Sequence, residues 1–258
     1  MIDITIRHPA THIICGPTSS GLYIRFCVSF YSSFSFSSSS SKFHQTCKLA
    51  KHYCLLFFST GKTTLAKSLI RNKDVLFSPP PSHVLWFYSE ESSLPQDLID
   101  AGLIDQYHKG FESYDQLRAL VMTYSHTQGC MVFFDDGLSY FQNSFSKIFY
   151  ELAHHCRASC FLLSQQLFHQ NRYYRTLALN TQNLWLMKNP RDMSLIIHLG
   201  KQVSPYEPGW LVQAYIHATK TPYSYLYFSF HQETNDLAKV MTRLLPEEKK
   251  PIITFLKA

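Results

Sequence analysis

Residues 11–21 read THIICGPTSSG and residues 62–71 read KTTLAKSLIR, with LYIRFCVSFYSSFSFSSSSSKFHQTCKLAKHYCLLFFSTG standing between them at 22–61. With that middle segment set aside, the flanks join as GPTSSG-KTT, a complete G-x-x-x-x-G-K-[ST] phosphate loop. Removing 21–60 instead leaves the same product, because the segment both follows and ends in Gly. Thr11–Cys15 is a short apolar strand running into the glycines, and Thr63–Arg71 has the spacing of a short amphipathic helix. Strand, glycine loop and helix is the context that such a loop requires.

In the rejoined loop, the backbone amides of Gly16, Pro17, Thr18, Ser19, Ser20 and Gly21 (or Gly61), without the proline's, wrap a phosphate chain. Pro17 has no N–H to offer, and the glycines let the backbone approach closely. Lys62 would reach the β- and γ-phosphates, the Thr63 hydroxyl would hold Mg²⁺, and Thr64 continues a helix start whose dipole favours an anion. ATP and Mg²⁺ are the ligands this implies. Without rejoining, residues 56–63 read LFFSTGKT, with Leu56 where the first glycine of the motif belongs.

The segment 22–61 differs from its surroundings. Ser and Phe dominate its first half, Ser37 to Ser41 is a homopolymer, and it has no Asp or Glu. It shows neither a helical period nor a clean alternation, so it is expected to bury no consistent face. The reading is an intron translated in frame: a Gly codon split after its first base would regenerate Gly at both edges, and Leu55–Phe58 would be the pyrimidine-rich tract before the acceptor. A genuine surface-loop insertion is the alternative. Loops tolerate insertions, but amides that must converge on one phosphate tolerate them worst. Tyr53–Phe58 is apolar and directly precedes STGKTT, so it can compete with Thr11–Cys15 for the central strand position.

The remainder alternates strands with helices. His83–Tyr88 is a buried strand followed by Glu90 and Glu91; Cys130–Phe134 ends at Asp135 and Asp136; Ser159–Leu163 ends at Ser164, Gln165 and Gln166; Asn183–Met187 ends at KNPRD. Helical patterns fall at 114–125, 145–155, 192–200 and 207–218, Tyr225–Phe230 reads as a last strand, and the polar tail from Asn235 reads as helical. Unbroken apolar strands alternating with helices imply a mainly parallel sheet covered on both faces, an α/β fold whose chemistry sits at the carboxyl ends of the strands. The domain so defined is 1–21 plus 62–234, with 22–61 foreign to it and 235–258 a C-terminal tail.

Asp135 at the end of MVFFDD would bind Mg²⁺ through water and Asp136 would polarise the attacking water. Gln165 stands where a polar side chain could sense the γ-phosphate. Glu90 could couple nucleotide state to DNA, and Arg157 and Arg175 are candidates for a finger supplied to a neighbouring subunit. Arg172-Tyr173-Tyr174-Arg175 could meet a nucleic-acid backbone. The formal charge of +6 fits a polyanionic partner. His154, His155, Cys156 and Cys160 are close in sequence, but a helix end followed by a buried strand accounts for them better than a metal does. No Cys pattern reads as a disulfide framework. No apolar run reaches the ~18 residues of a membrane span, and the N-terminus lacks the features of a signal peptide. An intracellular, reducing location is expected, which the resemblance given next narrows to the nucleus or a viral assembly site.

Taken together, GPTSSG…KTT, VLWFYSEE, MVFFDD, HHCRASCFLLSQQLFHQ, YRTLALNTQNLWLMKNPRD and ATKTPYSYLYFSFH resemble the packaging ATPase of Maverick/Polinton elements, virus-like DNA transposons grouped with the poxvirus-type packaging ATPases of the FtsK–HerA class. The resemblance covers nearly everything outside 22–61 and is most specific from His154 to Asp192. It implies a P-loop NTPase of the additional-strand (RecA/FtsK-like) type and a homo-oligomeric ring that drives double-stranded DNA into a shell of the element's capsid proteins. By motif position it puts Lys62 and Thr63 at the phosphates, Asp135 and Asp136 at Mg²⁺ and water, and Gln165 in the sensor place. Two departures stand out: the interrupted loop, and Ser164-Gln165-Gln166 where a Thr-Gln-Asn-like run is expected. An inactive remnant or mis-spliced product and a small P-loop kinase are the alternatives. The kinase would need an Arg-rich lid and an acceptor-binding Asp-Arg pair near the third strand, and neither is seen.

Overall fold

A computed structural model of the chain describes residues 10–14, 23–29, 53–57, 61–125, 129–135, 151–152, 155–164, 179–189, 193–232 and 234–257, the first three segments as backbone alone. In chain order the strands and helices are β1 (Ala10–Ile14), β2 (Tyr23–Ser29), β3 (Tyr53–Phe57), α1 (Lys62–Arg71), α2 (Lys73–Leu76), β4 (His83–Tyr88), α3 (Gln96–Asp100), β5 (Gln106–Lys109) and α4 (Tyr114–Tyr124). They continue with β6 (Cys130–Asp135), β7 (Ala158–Ser164), β8 (Asn183–Met187), α5 (Ser194–Val203), α6 (Pro208–Ala218), β9 (Tyr225–Ser229), β10 (Val240–Thr242) and β11 (Ile252–Leu256).

The strands form one sheet in the order β1-β2-β11-β10-β9-β8-β3-β7-β6-β4-β5. From β5 to β8 every neighbouring pair is parallel, and from β8 to β1 every pair is antiparallel. The fold is therefore mixed α/β rather than built on the mainly parallel sheet expected. For β9, β10 and β11 the physical reason is connection length: parallel neighbours need a crossover of a dozen or more residues, whereas these strands follow one another through shorter links that return the chain antiparallel; β9 itself comes back antiparallel to β8 after α5 and α6.

The apolar runs become central strands as their composition requires. Every residue of β6, β7 and β8 is buried, because helices cover both faces. On one face Trp86, Phe133 and Phe161 lie side by side on adjacent strands, stacked with ring centroids 5.2 and 4.5 Å apart. There α1 contributes Leu65, Ala66, Leu69 and Ile70, and α3 contributes Leu98. On the other face Phe87 stacks on Phe134 at 5.3 Å, under Leu117 and Val121 of α4, Ile196 and Leu199 of α5 and Leu211 and Tyr215 of α6. The Ser113 hydroxyl caps α4 by accepting from the Gln116 amide at 3.3 Å, and Pro208 opens α6 at a position that needs no amide donor. Among the described residues no helix is long and apolar enough to cross a membrane.

Four parts of the sheet differ from expectation, the first being β2, a strand paired with β1 and β11 that comes from the segment 22–61 expected to lie outside the fold. The tail from 235 is not helical: Val240–Thr242 and Ile252–Leu256 add two strands, their β-branched and aromatic residues buried in the sheet. Gln106–Lys109 is an edge strand with one half-exposed face, too polar to show as an apolar run. Most consequentially, the position between β7 and β8 belongs to Tyr53–Phe57, while Ala10–Ile14 forms a strand at the far edge of the sheet against β2. Only residues 58–60 separate β3 from the glycine that opens α1. A strand feeding directly into a helix packs beside that helix, so proximity in the chain decides the competition that the apolar run at 53–58 had raised.

Candidate functional site

The carboxyl ends of β4, β6, β7, β3 and β8 meet along one margin of the sheet. The register places Asp135 level with Leu163, and Leu163 level with Leu56; one step further on, Ser164 is level with Phe57. Just beyond Phe57, Gly61 turns the chain into α1 with φ 108° and ψ −4°. That conformation is in the left-handed half of the backbone map, which a side chain disfavours. Its carbonyl accepts from the Leu65 amide at 2.8 Å, closing the first helical turn.

Lys62 follows and is buried, 8% exposed, as is Asp135 at 5%. Thr63 is half-buried and Thr64 exposed. The lysine and the aspartate thus occupy the same margin, on segments two strand spacings, about 10 Å, apart, with β7 between them. A burial of this degree is unusual for either residue type, and it is arranged where a helix N-terminus concentrates positive potential. The Asp135 carboxylate and the Thr63 hydroxyl, both on segments of this margin, are oxygen donors of the hard type that suits Mg²⁺.

Other residues expected at the site divide cleanly. Glu90 lies in the turn after β4 on the same margin, exposed, with its carbonyl accepting from the Ser93 hydroxyl at 2.7 Å. Arg157 does not join them. It precedes β7 at the amino ends of the strands, φ 47°, where its carbonyl accepts from the Cys130 amide at 3.4 Å. It therefore sits across the full length of the sheet from Lys62. Gly16, Pro17, Thr18, Ser19, Ser20, Gly21, Asp136, Gln165, Arg172 and Arg175 lie outside the described residues.

Several groups on this margin carry no local sequence signal. A Cβ placed on Gly61 would come 2.6 Å from Met187 Cε and 3.2 Å from Tyr223 Cδ1, so the end of β8 and the turn before β9 close over the start of α1. Tyr215 of α6 ties off β8: its hydroxyl donates to the Met187 carbonyl at 2.9 Å and accepts from the Asn189 amide at 2.7 Å. Burial pushes that phenol above its ordinary pKa, keeping it neutral and able to serve as both donor and acceptor. Gly61→Ala is expected to destabilise the fold by about 1–3 kcal/mol. The Met187 methyl can swing away, whereas the backbone strain at φ 108° remains. Urea unfolding monitored through the buried tryptophans measures it.

No protein-family model matches this chain, and no curated protein matches it as a relative.

Proposed function

We propose that the chain encodes an ATP-hydrolysing motor of the additional-strand P-loop type, one that packages or translocates double-stranded DNA for an integrated virus-like element. The observation that carries this reading is the pairing of a glycine-turned helix start bearing a buried Lys62 with a buried Asp135 two strands away. One strand, β7, is interposed between them, which is the arrangement that the additional-strand type is named for. The strand order supports the type, and the excess of basic residues supports a DNA partner.

In this mechanism Lys62 neutralises charge on the β- and γ-phosphates. Thr63 and Asp135 would hold Mg²⁺, which would supply further charge neutralisation to the bound nucleotide. Asp136 orients and polarises the attacking water, and Gln165 contacts the γ-phosphate end. Little covalent chemistry falls to the protein, and positioning with electrostatic stabilisation carries the reaction. Ring assembly, capsid partners and the finger argued for Arg157 or Arg175 belong to the same proposal. The position of Arg157 at the opposite margin means that it could act only on a neighbouring copy.

A second reading applies to the full 258-residue product, which keeps residues 22–61, and a specific observation favours it. β3 reaches Gly61 through residues 58–60 alone, whereas the rejoined chain has residues 15–20 between its apolar strand and Gly21. Half the loop length and a missing first glycine leave too few amides to wrap a phosphate. That product is then a weak or inactive nucleotide binder. With 22–61 removed, Thr11–Cys15 becomes the segment directly before the loop and enters the central position by the same proximity rule that now favours Tyr53–Phe57.

The test is turnover. The chain lacking 22–61 is expected to hydrolyse ATP with Mg²⁺, faster with double-stranded DNA present. Asp136→Asn should keep ATP affinity and lose at least about 100-fold in kcat, the usual scale for removing a group that handles the reacting water's proton. Undiminished turnover in Asp136→Asn removes that assignment, and absence of ATPase activity in the parent removes the function.

A further inference from the structure

The rear half of α1 is gripped by a part of the chain more than 170 residues away. Glu247, in the 3₁₀ turn Pro246–Glu248 between β10 and β11, accepts from the Ser68 hydroxyl through Oε2 at 2.8 Å and from the Asn72 side-chain amide through Oε1 at 2.7 Å. Ser68 and Asn72 are one helical turn apart, so a single carboxylate staples the last turn of α1 and its cap. Asn72 also returns its side-chain amide to the Ser68 carbonyl at 2.8 Å.

The turn that carries Glu247 is itself fixed from below. The Tyr225 hydroxyl accepts from the Leu244 and Leu245 amides at 2.7 and 3.2 Å and donates to Glu248 Oε2 at 3.1 Å. Leu244 and Leu245 pack into the same apolar cluster as Leu65 and Leu69 of α1. A carboxylate near a helix C-terminus is disfavoured by the helix dipole. Its placement here is therefore set by the two donors it accepts from, not by general electrostatic attraction. Lys67 and Arg71, about 100° round the helix from Ser68 and Asn72, pair with Asp97.

We propose that Glu247 is a positioning residue for α1: the β10–β11 turn sets the helix's orientation through Ser68 and Asn72, so the C-terminal hairpin and the Lys62 end of the helix move as one unit. The lever is short. Ser68 lies six residues, about 9 Å along the axis, from Lys62, so a tilt of about 6° moves the helix start by about 1 Å, a displacement large enough to matter at a reacting phosphate. The coupling is reciprocal, since whatever fixes the helix start also steadies the hairpin. The consequence for nucleotide binding rests on the function proposed above; the consequence for helix motion does not.

Amide hydrogen exchange on the full chain tests it. Glu247→Ala is expected to speed exchange about three- to tenfold across α1 and residues 244–249 together, leaving β6 and β7 as in the parent, while Glu247→Gln, which keeps one acceptor oxygen, gives a smaller change. Unchanged protection in α1 overturns the proposal. So does an equal acceleration across the whole sheet, which would mark Glu247 as a contributor to global stability alone. Titration of the same variants with Mg-ATP, in the chain lacking 22–61, should show weaker binding for Glu247→Ala than for its parent. A parent that binds no ATP contradicts the nucleotide function while the exchange result still decides the role of Glu247.

Discussion

Lys62→Ala, introduced in the chain lacking residues 22–61, is expected to abolish measurable ATP binding. The ammonium is buried where α1 begins, and the proposed ligand brings several negative charges to that point. Truncating one partner of a buried, hydrogen-bonded charge pair costs about 2–5 kcal/mol, a loss of about 30- to 4,000-fold in affinity. At the upper end of that range an affinity of ordinary micromolar strength becomes millimolar, at the limit of calorimetry. Lys62→Arg should not restore it, because a planar fork cannot replace a compact point charge in a nest shaped for one. Lys67→Ala provides the comparison: Lys67 is on the same helix but faces Asp97, and its loss should leave ATP affinity within about twofold of the parent, since an exposed ion pair contributes little. Isothermal titration of the three variants with Mg-ATP gives the answer. Equal affinities in Lys62→Ala and the parent would place the nucleotide elsewhere or nowhere.

Much of this margin was legible in the residues. The runs HVLWFY, CMVFF, SCFLL and NLWLM read as strands because almost all their residues are apolar, as burial on both faces of a helix-covered sheet requires. The spacing of Leu65, Leu69 and Ile70 marked α1. A helix start after a Gly-Lys pair and a carboxylate closing an apolar strand were enough to put Lys62 and Asp135 on one edge, since strand polarity brings carboxyl ends together in a parallel sheet. In the antiparallel half Tyr225–Phe230 read as a strand and forms β9, but β10 and β11 were not legible. Val240–Thr242 is three residues long, and Ile252–Leu256 lies among lysines and a proline in a segment that composition alone calls polar. What makes them strands is the edge of β9 waiting for a partner, a tertiary fact.

The supports of the site were out of reach for a related reason. Met187, Tyr223, Tyr215 and Glu247 act on Gly61, β8 and α1 from more than twenty residues away in every case, and no short-range spacing encodes such contacts. The competition between Thr11–Cys15 and Tyr53–Phe58 is the intermediate case. Both runs are short and apolar, both precede a Gly-rich stretch, and pattern alone ranks neither. Chain proximity to α1 ranks them in favour of Tyr53–Phe57, and the same rule is expected to favour Thr11–Cys15 in a chain lacking 22–61.

That difference makes one measurement the most direct test of the whole account. The 258-residue chain and the chain lacking 22–61 are titrated side by side with a fluorescent ATP analogue in the presence of Mg²⁺. A continuous GPTSSGKTT offers consecutive amides to one phosphate, whereas the interrupted chain must assemble that nest from segments separated by residues 22–61. Closing such a loop costs only a few kcal/mol, but nothing fixes the geometry of its two halves. The shortened chain is expected to bind at least about 100-fold more tightly, the equivalent of about two charge-assisted contacts that the full chain lacks. Comparable dissociation constants would contradict it: residues 22–61 would then be a tolerated part of a working protein, and the argument that they interrupt a phosphate loop would fall.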